Sequence, residues 1–106
     1  MATVYRRAAA RRDLVDHYTY LAENAGEATA DRFLLQAETS FNALAEHPEM
    51  GTPLTLRHSE LAGLRKWHVP GFDRVLIFYF PRRDGVTILR VLHAAQDWWR
   101  LLGVID

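Results

Sequence analysis

The chain has 106 residues, which is the size of one domain, so we treat residues 1–106 as a single domain. Its 13 basic and 13 acidic side chains cancel. Proteins that hold nucleic acid by its phosphates usually carry a basic excess. The balance therefore argues against nucleic acid as the main partner, and we expect no direct sequence-specific binding to it. The lack of cysteine excludes disulfides and a thiolate nucleophile.

The composition also restricts the compartment and the cofactors. The N-terminus has no apolar stretch of the signal-peptide kind, and no run approaches the roughly 20 apolar residues of a spanning helix. We therefore expect a cytoplasmic protein with no membrane partner. The histidines lack the spacing of a metal site, and there is no glycine-rich phosphate loop. We expect no metal and no cofactor.

The first half of the chain predicts a short strand and then two helices. Residues 3–7 contain two good β formers and favour a strand. Leu14, Tyr18 and Leu21 recur at helical spacing, which predicts a helix over residues 9–25. Val15 and Ala22 widen this apolar stripe.

The second helix is predicted over Glu27–Glu46, because Pro48 and Gly51 prevent its continuation. Its apolar stripe consists of Ala30, Phe33, Leu34, Ala37, Phe41 and Leu44. The short break at Gly26 predicts that the two helices form an antiparallel hairpin. Both apolar stripes must be buried, and only a sheet formed by the rest of the chain is available for this.

The second half of the chain predicts a loop and a three-stranded antiparallel meander. Residues 48–60 are predicted to form the loop, and residues 82–85 a hairpin connection centred on Asp-Gly. The predicted strands are residues 64–69, 74–80 and 86–93, and residues 96–102 form a short helix that Gly103 ends. The fold class is therefore α+β, in the order β-α-α-β-β-β plus a C-terminal helix, with the helix hairpin packed on one face of a small antiparallel sheet.

The central strand, residues 74–80, is apolar on both faces, which indicates that both faces are covered. Because the hairpin covers one face, another element must cover the second. Two candidates are the segment that contains Trp98 and Trp99, and a partner protein.

Three pieces of the meander occur in an order that resembles a known family. They are Gly63-Leu64-Arg65, Ile77-Phe78-Tyr79 at the end of an apolar strand, and the strand from Ile88 to His93. This ordered set resembles the ParE-type toxins of the ParE/RelE superfamily of type II toxin–antitoxin systems. The family often has Gly after the histidine and Arg before the following aspartate, where this chain has Ala94 and Gln96.

The resemblance implies a toxin that acts by binding. ParE-type toxins are poisons of DNA gyrase, and a cognate antitoxin that wraps the helix hairpin and the sheet holds each one inactive. The expected partners are therefore a cognate antitoxin and DNA gyrase. The candidate partner-binding residues are Arg65, Trp67, Arg74, Arg90, Trp98 and Trp99. The alternatives are an internally paired Arg65, ordinary surface salt bridges at the other arginines, and tryptophans that simply cap the sheet.

Two other functions remain open. A RelE-like toxin is a ribosome-dependent mRNA endonuclease, which needs an acid–base pair and a cation on the phosphate. Arg65 and His93 are the candidate catalytic residues for that chemistry; otherwise we expect none. The alternative for His93 is a structural pair with Asp97. The RelE group often has a tyrosine near the C-terminus, where this chain has Trp98 and Trp99. A third possibility is a non-toxic relative that still binds an antitoxin.

Overall fold

The structure is a computed structural model, and it describes residues 2–56 and 59–102. The strands are β1 (Thr3–Arg6), β2 (Thr52–Pro53), β3 (Arg65–Val69), β4 (Phe72–Arg82) and β5 (Gly85–His93). The helices are α1 (Ala8–Ala25), α2 (Glu27–Glu46) and α3 (Trp98–Leu101), and short 3₁₀ turns occupy Pro48–Met50 and Ser59–Leu61. This order confirms the predicted α+β class. His58 and Gly103, which were assigned to the loop and to the helix end, lie outside the described residues.

The five strands form one sheet in the order β1-β5-β4-β3-β2. The predicted antiparallel meander is its centre, since β4 pairs with both β3 and β5. Two edge strands complete the sheet. β1 runs parallel to β5, and β2 lies within the segment that was predicted to be a loop. The sheet is thus mixed rather than purely antiparallel.

The two long helices form the predicted hairpin, and the bounds of α2 match the prediction. Gly26 joins them with a φ of 94°, a backbone conformation that glycine adopts at little cost. The hairpin packs on one face of the sheet. The largest buried side chains of this core are Phe33, Phe41, Leu44, Ile77, Tyr79 and Ile88.

The second face of the sheet is covered largely by the chain itself. Leu64, Phe78 and Leu92 form its buried centre. The side chains that pack around them include Leu54 and Leu56, which precede β3, and Trp98 and Leu102 of the C-terminal segment. The Trp98 ring lies 5.2 Å from that of Phe78. The C-terminal segment therefore provides part of the cover that the apolar central strand requires.

Gly85 has a different role from the one its Asp-Gly context predicts. The turn between β4 and β5 consists of Arg83 and Asp84, and Gly85 is already the first residue of β5. Its φ is 154°, and a Cβ at this position would collide with the backbone of Thr3. Glycine is required here because the backbone of β1, paired with β5 at this position, leaves no room for a Cβ.

No helix in the described ranges, 2–56 and 59–102, is long and apolar enough to cross a membrane.

Candidate partner-binding surfaces

Arg65 is bound to the protein's own backbone. Its Nη1 donates hydrogen bonds to the carbonyl oxygens of Gly51, at 2.6 Å, and Glu49, at 3.1 Å. The hydroxyl of Tyr79 donates to the oxygen of Pro48 at 2.7 Å and accepts from the N–H of Gly51 at 2.9 Å. Burial raises the pKa of Tyr79 above its ordinary value. These bonds hold the 48–51 segment against the sheet. Arg65 is therefore internally paired, as in the alternative considered for it from the sequence.

Trp67 is at the middle of β3, where it pairs with Ile77, and Arg74 lies near the start of β4. Trp67 is half-buried, packs against the core beneath the helices and stacks on His68 with ring centroids 5.1 Å apart. Arg74 is exposed and lines an apolar cavity of about 290 Å³ together with Tyr20 and His93. Arg74 therefore remains accessible to a partner, whereas Trp67 offers only part of its ring.

Arg90 forms an ion pair with Asp13 of α1. Its Nε and Nη2 donate to the two carboxylate oxygens of Asp13 at 2.7 and 2.8 Å, a bidentate arrangement. Asp13 is only 7% exposed. The hydrogen bond to Asp13 is the main cause of a raised pKa for Arg90. The remaining Nη1 donates to the carbonyl oxygen of Leu101 at 3.2 Å, so this side chain connects α1, β5 and α3.

The same helix protects the edge of β5. β1 pairs with β5 only as far as Ile88, so the next backbone groups of β5 need other partners. The N–H of Val91 donates to Asp13 at 2.9 Å, and the ring Nε2 of His17 lies 2.9 Å from the carbonyl oxygen of Val91. Because a carbonyl only accepts, His17 Nε2 must carry the proton. Asp13 and His17 thus close an edge that would otherwise be open to a further strand.

The two residues considered for nuclease chemistry lie far apart. Arg65 pairs with Tyr79 of β4, and His93 pairs with Val75 of the same strand, on its other side. Four residues along β4 and two strand spacings across it separate their backbones by about 16 Å. His93 is also engaged locally, because its Nδ1 accepts from the N–H of Ala95 at 3.0 Å.

Gln96, which stands where the family often has arginine, forms a local hydrogen bond. The N–H of His93 donates to Gln96 Oε1 at 2.7 Å. Asp97 pairs with Arg100, with Nε and Oδ2 3.4 Å apart. The segment between β5 and α3 therefore has local hydrogen bonds of its own.

The three candidate arginines do not form one cluster. Arg65 bonds to the 48–51 segment on the β3 side of the sheet. Arg90 bonds to α1 on the β5 side, and Arg74 is exposed at the end of β4. A single anionic partner group cannot contact all three, so a role in binding would have to come from each separately.

The two adjacent tryptophans have different exposures. Trp98 is half-buried against Phe78, and Trp99 stacks on Trp98 with centroids 3.9 Å apart. Trp99 is 37% exposed and Leu101 is 41% exposed. We call the surface that exposes Trp99 the C-terminal surface. A cavity of about 630 Å³ adjoins it, lined in part by Phe80, Leu89 and Leu101.

A second apolar surface lies on the outside of the helix hairpin, where the sequence predicted buried side chains. Val15 is 63% exposed and Leu34 is 37% exposed, so their assignment to the buried stripes is wrong. Together with Tyr18 they line a groove of about 320 Å³ between the helices. The Tyr18 hydroxyl donates to Asp31 at 2.7 Å, which raises the pKa of Tyr18. We call Val15, Tyr18 and Leu34 the hairpin surface. In the sequence, this surface was indicated only by apolar stripes that are wider than the buried face of each helix.

The fold and these surfaces define a small α+β domain that exposes apolar side chains on the helix hairpin and on the C-terminal helix. In the described part of the chain, no cluster of side chains suits a metal ion. The family model described as the ParE toxin of the type II toxin–antitoxin system, parDE, matches residues 4–98. The chain therefore belongs to the ParE toxin family, as the three pieces of the meander indicated.

One solved structure supports the fold independently. The chain is similar to a chain described as the chromosomal ParDE TA system from P. aeruginosa, with a TM-score of 0.68 and 18% sequence identity. The match covers 88% of this chain and 96% of the other. At this identity the likeness shows the shared fold. None of the curated proteins compared with the chain matches it.

Proposed function

We propose that this member of the ParE toxin family acts by binding DNA gyrase and is neutralised by a cognate antitoxin. Membership of the family carries the proposal. The separation of Arg65 from His93 supports binding rather than RNA cleavage. General acid–base catalysis needs both groups within hydrogen-bond reach of the reacting atoms. The two backbones are about 16 Å apart, and Nη1 of Arg65 is already bound to the carbonyl oxygens of Glu49 and Gly51.

The two apolar surfaces suit two partners. The hairpin surface is a groove between antiparallel helices, and such a groove accepts the apolar face of an amphipathic helix. We assign it to the antitoxin. The C-terminal surface has an exposed tryptophan backed by a second ring, and tryptophan is enriched among the residues that dominate binding energy. We assign it, together with the exposed Arg74, to gyrase. Both partners would meet the protein in the cytoplasm.

Expression in bacterial cells tests the mode of action. We expect growth arrest with intact mRNA. We expect the same arrest from His93→Ala, because the His93 ring is hydrogen-bonded to the N–H of Ala95 in its own loop. Co-expression of a neighbouring gene that encodes a DNA-binding N-terminal half and an amphipathic C-terminal half should restore growth. Cleaved mRNA, with cleavage abolished in His93→Ala, would establish the nuclease instead. Antitoxin binding without any growth arrest would identify a non-toxic relative.

A further inference from the structure

The short C-terminal helix cannot hold its own conformation. α3 has four residues, and a helix of about one turn is unstable in water because its nucleation cost exceeds the gain from its few hydrogen bonds. Its orientation must therefore come from tertiary contacts. These contacts include the packing of Trp98 on Phe78, and the hydrogen bond from Arg90 to the last carbonyl oxygen of the helix, that of Leu101.

The direction of this hydrogen bond is set by Asp13. A guanidinium is planar, and its N–H groups have fixed relative directions. When Nε and Nη2 are both held by the Asp13 carboxylate, the direction of Nη1 is fixed as well. Asp13 is itself fixed, because the N–H of Val91 donates to it and it projects from an 18-residue helix. A rigid chain of contacts thus runs from α1 through Arg90 to the end of α3.

We infer that Asp13 and Arg90 are positioning residues, which hold α3 so that Trp99 faces a partner. This inference rests on the proposed assignment of the C-terminal surface to gyrase. Neither side chain needs to touch the partner, because the Asp13 carboxylate is buried and Nε, Nη1 and Nη2 of Arg90 are all bound within the protein. Their effect would come from pre-organisation, since a surface that is ordered before binding loses less entropy on binding.

Arg90→Lys is the most direct test. Lysine keeps the positive charge beside Asp13 but has no fork that reaches both Asp13 and Leu101. We expect inhibition of gyrase supercoiling to need an at least about tenfold higher concentration of the variant than of the parent protein. This is the size of effect expected for loss of a main contact. The control is Ile77→Val, a core substitution that leaves α3 untouched. It should destabilise the fold without changing inhibition. Unchanged inhibition by Arg90→Lys would overturn the inference.

A second measurement keeps the inference testable if the protein does not act on gyrase. Two stacked indoles give an exciton couplet in circular dichroism, and Trp98 and Trp99 are stacked in this structure. We expect the couplet to weaken in Arg90→Lys and in Asp13→Asn but to persist in Ile77→Val. A full couplet in Arg90→Lys would show that α3 is held by other contacts. Absence of inhibition by the parent protein, with a couplet that still depends on Arg90, would contradict only the gyrase assignment.

Discussion

Asp13→Ala is expected to lower the free energy of unfolding by about 3–5 kcal/mol, the usual cost of removing one partner of a buried ion pair. The variant loses both hydrogen bonds from Arg90 and the acceptor for the N–H of Val91. The guanidinium is left without its anion at a partly buried position. Because small domains have only about 5–15 kcal/mol of stability in total, the loss is a large fraction of it.

Urea unfolding measured by circular dichroism tests this expectation. The matched control is Asp16→Ala on the same helix, since Asp16 is exposed and its loss should change the stability by less than about 0.5 kcal/mol. Equal losses in the two variants would show that the Asp13–Arg90 pair does not stabilise the fold.

Phe33→Ala is expected to cost about 3–5 kcal/mol, the usual range for removing a fully buried phenylalanine. Phe33 has no exposed surface, and its ring meets that of Phe72 edge-on with centroids 5.3 Å apart. It therefore joins α2 to the start of β4. The cavity left behind would lie between the helix hairpin and the sheet, where neither backbone can move in to fill it.

Leu34→Ala, at the adjacent position, separates stability from binding. Leu34 is partly exposed in the groove of the hairpin surface, so its removal should cost less than about 1 kcal/mol of stability. It should instead weaken antitoxin binding. Unfolding curves and a binding titration on both variants check the pair. A large stability loss from Leu34→Ala would mean that the hairpin surface is part of the core after all.

The elements of this fold that depend on local signals could be predicted from the sequence. The bounds of α2 follow from Gly26 before it and Pro48 after it, and both act within a turn of the helix end. The strands of the meander follow from β-rich runs separated by turn residues. By contrast, the pairing of β1 with β5 joins residues about 80 positions apart, and no local pattern specifies it.

The candidate sites were harder to predict, for the same reason. Asp13 and Arg90 are 77 residues apart, and each alone has the pattern of an ordinary surface charge. Arg65 was a candidate for binding a partner, but the carbonyl oxygens that it binds come from a segment that was predicted only as a loop. Leu34 fits a helical stripe, yet the stripe is wider than the face that the sheet can cover. Periodicity indicates which side chains are apolar, whereas burial depends on the partner surface.

A supercoiling assay with purified DNA gyrase and purified protein tests the central claim most directly. We predict that the protein inhibits supercoiling or traps cleaved DNA, and that addition of the cognate antitoxin abolishes the effect. Normal supercoiling at every protein concentration, combined with cleavage of mRNA on translating ribosomes, would contradict the claim that this chain acts by binding gyrase.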